Sequence, residues 1–179
     1  MDSRGWPRAH STLARSRLLG NDRQKTMGLT LEFLAGDCQF LISAFREADL
    51  DTLYEPPVCL YRADFSLHLV PLDLDLLSEC LGELAGISPI PLRSFLTGVV
   101  DKADCGALAV GKKWVDYVAA CGDSIALPAS KRWTEKMKRA HPHEEIELTE
   151  EMTEAVRSLL VLCRNAKDEK LDVLHLWFG

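Results

Sequence analysis

The sequence contains no long apolar segment and none of the short motifs that identify familiar cofactor or catalytic sites. Its longest apolar runs, such as residues 159–163, are far shorter than the ~20 residues that a membrane-spanning helix requires. The eleven glycines are scattered, and the strings GxGxxG, GxxxxGKS/T and GxSxG do not occur. These absences argue against a membrane protein, a nucleotide-binding enzyme of a familiar type and an α/β-hydrolase. We therefore expect no membrane segment and no cofactor.

Closely spaced cysteine pairs are also lacking, and no CxxC motif is present. The cysteines are spread along the chain at Cys38, Cys59, Cys80, Cys105, Cys121 and Cys163. This spread favours unpaired thiols in a reducing compartment over a zinc site or a disulfide framework. The N-terminal residues lack the apolar stretch of a secretory signal peptide. We therefore expect a cytoplasmic protein.

The composition is that of an ordinary globular domain, with 47% hydrophobic, 27% charged and 7% aromatic residues. A chain of 179 residues can bury one sizeable core without disulfides or a metal. The formal charge of −6 is unevenly distributed, because residues 1–26 are basic and the rest of the chain is strongly acidic. An acidic body argues against nucleic acid as the partner and favours a basic protein.

The composition changes sharply at Met27, which divides the chain into a basic leader (residues 1–26) and a body (residues 27–179). Two interpretations of the leader are open. It is either an Arg-rich segment with a role of its own, such as targeting or phosphate contact, or a stretch upstream of a native start at Met27. The second is favoured because no sustained amphipathic period runs through the leader. We expect the leader to be disordered and the body to form a single domain.

Hydrophobic periodicity predicts an α+β or α/β fold. Alternating or continuous apolar patterns predict strands over residues 29–35, 61–70 and 171–178, the last of them buried on both faces and central in its sheet. Helical spacing predicts helices over residues 38–49, 72–84, 92–101, 107–121, 128–140 and 150–164. We expect a small sheet of about three or more strands, which includes the first, second and last strands and is covered by several helices.

The densest group of potential metal ligands is the sequence His141-Pro142-His143-Glu144. Two imidazoles on an extended segment could bind one zinc ion, with the carboxylate completing the site. No third ligand stands at a recognised spacing. Exposed loop histidines are therefore the favoured interpretation, with a metal site formed by His141, His143 and Glu144 as the alternative.

Cys38 is the first candidate for a catalytic thiol, because it lies in the first turn of a predicted helix, where the helix dipole could lower its pKa. Cys105, in a predicted loop, is a second candidate thiol. His68 and His175 lie in predicted strands, and either could complete a Cys/His nucleophile pair. Nothing in the sequence places a histidine beside either thiol, so buried inert cysteines are the favoured interpretation.

Two neighbouring segments carry opposite charge. Residues 131–139 hold five positive side chains and one negative, whereas residues 144–154 hold six negative and none positive. The favoured interpretation is that two solvated faces attract one another, with exposed pairs worth about 0 to 1 kcal/mol each. The alternative is a basic aromatic patch that binds a polyanion, formed by Lys131, Arg132, Trp133, Lys136, Lys138 and Arg139.

These features predict a non-catalytic interaction module that docks onto a basic partner protein, because the body is acidic and carries no catalytic motif. The first alternative is a small enzyme that uses a Cys/His or a His/carboxylate site. The second alternative is a polyanion-binding protein that uses residues 131–139, for which a steep salt dependence of affinity is expected.

Overall fold

A computed structural model describes residues 30–67 and 71–179, and its centre is a five-stranded antiparallel sheet. The strands are β1 (Thr30–Gly36), β2 (Cys59–Asp64), β3 (Leu96–Asp101), β4 (Cys105–Val110) and β5 (Asp172–Phe178). Their order is β2-β1-β5-β4-β3, so the last strand of the chain lies between β1 and β4. This confirms the predicted central position of the last strand and the sheet shared by the first, second and last predicted strands.

Helices cover both faces of the sheet in the described part of the chain. They are α1 (Cys38–Glu47), α2 (Leu50–Leu53), α3 (Pro71–Ala85), α4 (Lys112–Ala119), α5 (Ala126–Ala140) and α6 (Glu150–Glu169), with short 3-10 helices at Leu92–Phe95 and Asp123–Ile125. Helices α1 and α2 pack on one face, and the other four form a layer on the opposite face. The chain is a single α+β domain. None of these helices combines the length and apolar character that a membrane span requires.

Strand β1 is buried on both sides because helices lie above and below it. Leu31 and Phe33 face the four-helix layer, whereas Leu34 packs against α1. The alternation of side chains along a strand explains this division. Directly after β1, the Asp37 carboxylate accepts hydrogen bonds from two amides of the first turn of α1 and so begins that helix.

Two elements in the middle of the chain differ from the prediction. The helix predicted over residues 92–101 is a 3-10 turn followed by β3, in which Val99 and Val100 follow the strand preference of β-branched side chains. The helix predicted over residues 107–121 is β4 followed by α4, and Gly111 separates them as the N-cap of α4. In both segments the apolar residues lie so close together that they fit the period of a helix and the period of a strand equally well.

Two element ends also differ from the prediction. The strand predicted over residues 61–70 ends at Asp64, whose carboxylate accepts a hydrogen bond from the Ser66 amide (2.9 Å) and turns the chain. Helix α6 continues to Glu169, and it ends where Lys170 adopts a left-handed φ of 59°. The predicted leader, residues 1–26, lies outside the described residues.

Candidate functional site

A buried carboxylate lies in the sheet next to the edge strand β2. Glu32 of β1 is 1% exposed and lies on the face that α1 and α2 cover. Its carboxylate accepts hydrogen bonds from the Arg62 guanidinium (2.7 Å) and from the Tyr54 hydroxyl (2.9 Å). The guanidinium also lies over the Tyr54 ring, 4.6 Å from its centre, and 3.3 Å from the Asp64 carboxylate. One edge of the sheet thus carries a charged cluster anchored in the interior.

The interior position of this cluster changes its acid–base properties. Burial raises the pKa of Glu32, while the charge of Arg62 and the hydrogen bond from Tyr54 act in the opposite direction. Burial raises the pKa of Tyr54 well above its ordinary range, and the neighbouring Glu32 raises it further. The Arg62 side chain is 42% exposed, so the cluster reaches solvent at the open edge of β2. Its parts come from three separate segments, so no local pattern in the sequence indicates the cluster beyond a charged residue in a strand.

A cavity of about 210 Å³ lies between β2 and α6. Tyr61 and Arg62 line it from β2, and Glu154, Arg157 and Ser158 line it from α6. Arg157 forms an ion pair with Glu154, one turn before it on the same helix. The two arginines of the cavity are thus each held by carboxylates of this chain.

The structure contradicts the basic aromatic patch, because Trp133 is fully buried. Its ring packs against Phe65, and its indole nitrogen donates a hydrogen bond to the Asp73 main-chain oxygen (2.7 Å). An aromatic side chain has to be accessible in order to stack on a bound base or ligand. The other members of the predicted patch are Lys131, Arg132, Lys136, Lys138 and Arg139, and they surround a core residue instead of an exposed ring.

Two cations of α5, Arg132 and Lys136, pair with α3, and no cation of this helix pairs with residues 144–154. The Lys136 ammonium lies 2.7 Å from the Glu79 carboxylate and 2.8 Å from that of Glu83. Arg132 also contacts Glu83 (3.2 Å). The expected attraction between residues 131–139 and 144–154 is therefore wrong. Helix packing places Arg132 and Lys136 against α3.

Residues 144–154 form an exposed acidic strip, which consists of the loop before α6 and the first turns of that helix. Glu154 pairs with Arg157, and Glu144 lies 3.9 Å from the His141 imidazole. The other four carboxylates have no ion pair within the described part of the chain: Glu145, Glu147, Glu150 and Glu151. Leu148 is 37% exposed among them. The strip therefore combines unneutralised negative charge with an accessible apolar side chain.

The two histidines of the predicted metal site differ in their contacts and in their exposure. His141 Nε2 lies 2.8 Å from Asp73 Oδ1, and this hydrogen bond raises the pKa of His141. His143 and Glu144 are exposed on the loop. Among residues 30–67 and 71–179, no group of three or more histidine, cysteine, aspartate or glutamate side chains is arranged to hold a metal ion. The geometry gives the zinc hypothesis no support.

Cys38 begins α1, as predicted, but the environment of its thiol is the opposite of the expected one. Burial raises its pKa, and the carboxylates of Asp172 and Asp37 raise that pKa further. This environment gives no support to the expectation that the helix N-terminus activates the thiol. Both the loss of solvent and the neighbouring carboxylates disfavour the thiolate.

The predicted Cys/His pairs are not assembled among the described residues. His175 is buried in the four-helix face of the sheet, where it stacks on Phe33 with a 4.6 Å separation of the rings, whereas Cys38 lies on the opposite face. Burial lowers the pKa of His175 to about 4, so the imidazole is neutral at physiological pH. Cys105 lies in β4 and not in a loop, and burial raises the pKa of its thiol. His68 lies outside the described residues.

Comparison with protein-family models, with curated proteins and with solved structures finds no match to this chain. The geometry itself distinguishes two surface features, the acidic strip and the open edge of β2. They meet at Glu154, which belongs to the strip and also lines the cavity beside β2.

Proposed function

We propose that the protein is a non-catalytic interaction module that docks onto a basic partner protein through the acidic strip. The observation that supports this most directly is the pairing of Arg132 and Lys136 of α5 with α3. These two cations of the nearest positive segment, residues 131–139, are therefore paired with α3 and not with the strip. Four carboxylates of the strip keep their negative charge without an ion-pair partner in the described residues.

Charges of one sign that are held close together repel one another, and a partner of opposite sign relieves this repulsion. The net negative charge of the body adds long-range attraction, which speeds the encounter with a basic protein. Leu148 offers an apolar contact inside the charged surface, where a partner side chain can exclude water. We further propose a cytoplasmic location, because all six cysteines are free thiols.

The test uses a synthetic nine-residue peptide of alternating lysine and valine as the basic probe. In the strip variant, Glu145, Glu147 and Glu150 are each replaced by lysine. In the control variant, three exposed carboxylates outside the strip are replaced in the same way: Asp51, Asp101 and Asp168. The two variants carry the same net charge, so a difference between them reports the place of the charge and not its amount.

Fluorescence anisotropy at low and moderate salt measures peptide affinity, and circular dichroism confirms that both variants fold. We expect the strip variant to bind about tenfold more weakly than the parent protein, while the control variant loses about threefold or less. Equal losses in the two variants would mean that the chain attracts cations without a docking surface. A peptide affinity of the parent protein that is the same at low and at moderate salt would also contradict the proposal.

A further inference from the structure

We infer that the outer edge of β2 binds an extended segment of the basic partner as an additional strand. This inference rests on the proposed function and assigns the way in which the partner docks. Strand addition supplies main-chain hydrogen bonds along the edge, and alternate side chains of the added strand enter neighbouring pockets. The edge, its charge and the cavity beside it each support this assignment.

The register of the sheet shows which main-chain groups of β2 face outward. The Phe65 amide donates to the Leu31 carbonyl (2.8 Å), which fixes the hydrogen-bonded pairs of the β1–β2 ladder at every second residue. The main-chain groups of Arg62 and Asp64 fall at the intervening positions and point away from β1. No described residue forms a ladder with this edge. Two donors and two acceptors at strand spacing are thus presented to a partner.

The other edge of the sheet is less suited to strand addition. The ladder of β3 is irregular between Gly98 and Val100, and the Arg46 guanidinium donates to the Val99 carbonyl (3.3 Å). A bulge interrupts the ladder, and a guanidinium that already occupies an edge carbonyl competes with an added strand for it. On β2 the irregularity lies at the Gly36 end of the ladder, and the pairing beyond it is regular. The structure therefore favours β2 over β3.

The charge around β2 matches a basic segment and disfavours a second copy of this acidic chain. Arg62 is held by Glu32 and Asp64, and Arg157 is held by Glu154. Carboxylates thus outnumber cations at this edge, and a lysine of an added strand gains a favourable partner there. Two copies paired edge to edge would instead bring equal negative charges together.

The cavity between β2 and α6 provides space for side chains of the added strand. In an antiparallel strand, alternate side chains project to the same face, so every second side chain would extend over this cavity of about 210 Å³. Glu154 lies at its border and continues the acidic strip. Tyr61, which also lines the cavity, donates its hydroxyl hydrogen to Glu169 of α6. A segment that leaves the strip can therefore pass directly along β2.

The test uses the unmodified full chain and two N-methylated versions of the lysine–valine peptide. One version carries N-methyl groups on the lysine amides, and the other carries them on the valine amides. Methylation removes the donor on one edge of the peptide strand and leaves the opposite edge intact. Since an added strand faces β2 with one edge, we expect one version to bind about tenfold more weakly and the other to stay within about twofold of the parent peptide.

Hydrogen exchange locates the contact on the protein. Binding of the unmethylated peptide is expected to slow exchange of the Arg62 and Asp64 amides, while the edge amides of β3 keep their rates. Variant Asp64→Pro removes an outward amide without removing a β1–β2 hydrogen bond, and Asp64→Ala is its matched control because it removes the same carboxylate but keeps the amide. We expect Asp64→Pro to weaken peptide binding severalfold relative to Asp64→Ala.

The outcomes separate this inference from the proposed function. Equal losses for the two methylated peptides, together with a clear effect of the strip variant, overturn strand addition and leave docking through the strip in place. No salt-sensitive binding of the unmethylated peptide overturns both. Dimers that sedimentation detects for the parent protein and not for Asp64→Pro assign the edge to a second copy and also overturn the inference.

Discussion

Replacing Arg62 by methionine tests whether the buried charge of Glu32 is balanced at the edge of the sheet. Glu32 is 1% exposed, and in this variant it keeps the Tyr54 hydroxyl at 2.9 Å but loses the guanidinium at 2.7 Å. Methionine preserves the unbranched apolar stem of the arginine, so the change mainly removes the charge. The variant therefore leaves a buried carboxylate with one neutral donor.

The expected loss of stability of Arg62→Met follows from the burial of Glu32 and Arg62. Removing one member of a buried ion pair costs about 3–5 kcal/mol, because the other charge stays desolvated. Arg62 is 42% exposed and partly screened by solvent, so we expect a smaller loss of about 2 kcal/mol. The double variant Arg62→Met/Glu32→Gln buries no charge at this site, and we expect it to regain at least about half of that loss.

The stability deficit of Arg62→Met depends on pH in a defined direction. Burial raises the pKa of Glu32, so the folded protein holds this proton more tightly than the unfolded chain does. The stability from this group is present below its ordinary pKa of 4.5 and is lost as the pH rises through the raised pKa. Because the charge of Arg62 lowers that pKa, its removal makes the loss larger. The deficit of Arg62→Met is therefore expected to be large at about pH 7.5 and small near about pH 4.

Urea unfolding followed by tryptophan fluorescence measures these free energies, with the buried Trp114 and Trp133 as reporters. The parent protein, both single variants and the double variant are compared at each pH. The reasoning is refuted by a deficit of Arg62→Met that is the same at both pH values. It is equally refuted by a double variant that is no more stable than Arg62→Met.

Three further predictions concern the residues that the structure reassigns. Trp133→Ala is expected to destabilise the fold by about 3–5 kcal/mol, because it empties a core position, whereas Lys131→Ala at the exposed neighbouring site changes stability by about 0.5 kcal/mol or less. Urea unfolding measures both. Asp73→Asn is expected to lower the pKa of His141 towards its ordinary value, which an NMR titration of the imidazole detects. Alkylation of Cys38 by iodoacetamide at neutral pH is expected to be slower than that of free cysteine, since burial raises its pKa, and mass spectrometry of timed samples measures the rate.

The elements predicted correctly are those whose pattern is local. In β5 the polar positions Asp172 and His175 interrupt an otherwise apolar run, and such a run indicates a strand covered on both sides. The Thr149 side chain caps α6, and the glutamates that follow it favour a helix start. In residues 107–121, by contrast, small and branched apolar residues fit a helix or a strand equally well. Pairing of β4 with β5 decides the matter, and this contact is distant in the sequence.

The candidate site depends on contacts of the same distant kind. Glu32 occupies the polar position of an alternating strand, and the sequence pattern places such a residue in solvent. It is buried because α1 and α2 cover that face and because the register of β2 brings Arg62 opposite Leu34, next to Glu32. The residues near Glu32 in the sequence indicate neither the packing of α1 and α2 on this face nor the register of β2. A sequence pattern can show that the strand exists but not which side chains surround it.

The charge pattern of α5 shows why proximity in the sequence was a poor guide to electrostatics. Residues 131–139 precede the acidic strip by only a short loop, yet Lys136 reaches Glu79 and Glu83 across the helix interface. Burial of Trp133 fixes the rotation of α5 and directs these cations towards α3. No cation of α5 pairs with the strip in the described part of the chain, and the strip meets the β2 cavity at Glu154. An edge strand that no described residue covers can pair with an extended chain, and we propose that the surrounding carboxylates restrict this pairing to a basic one.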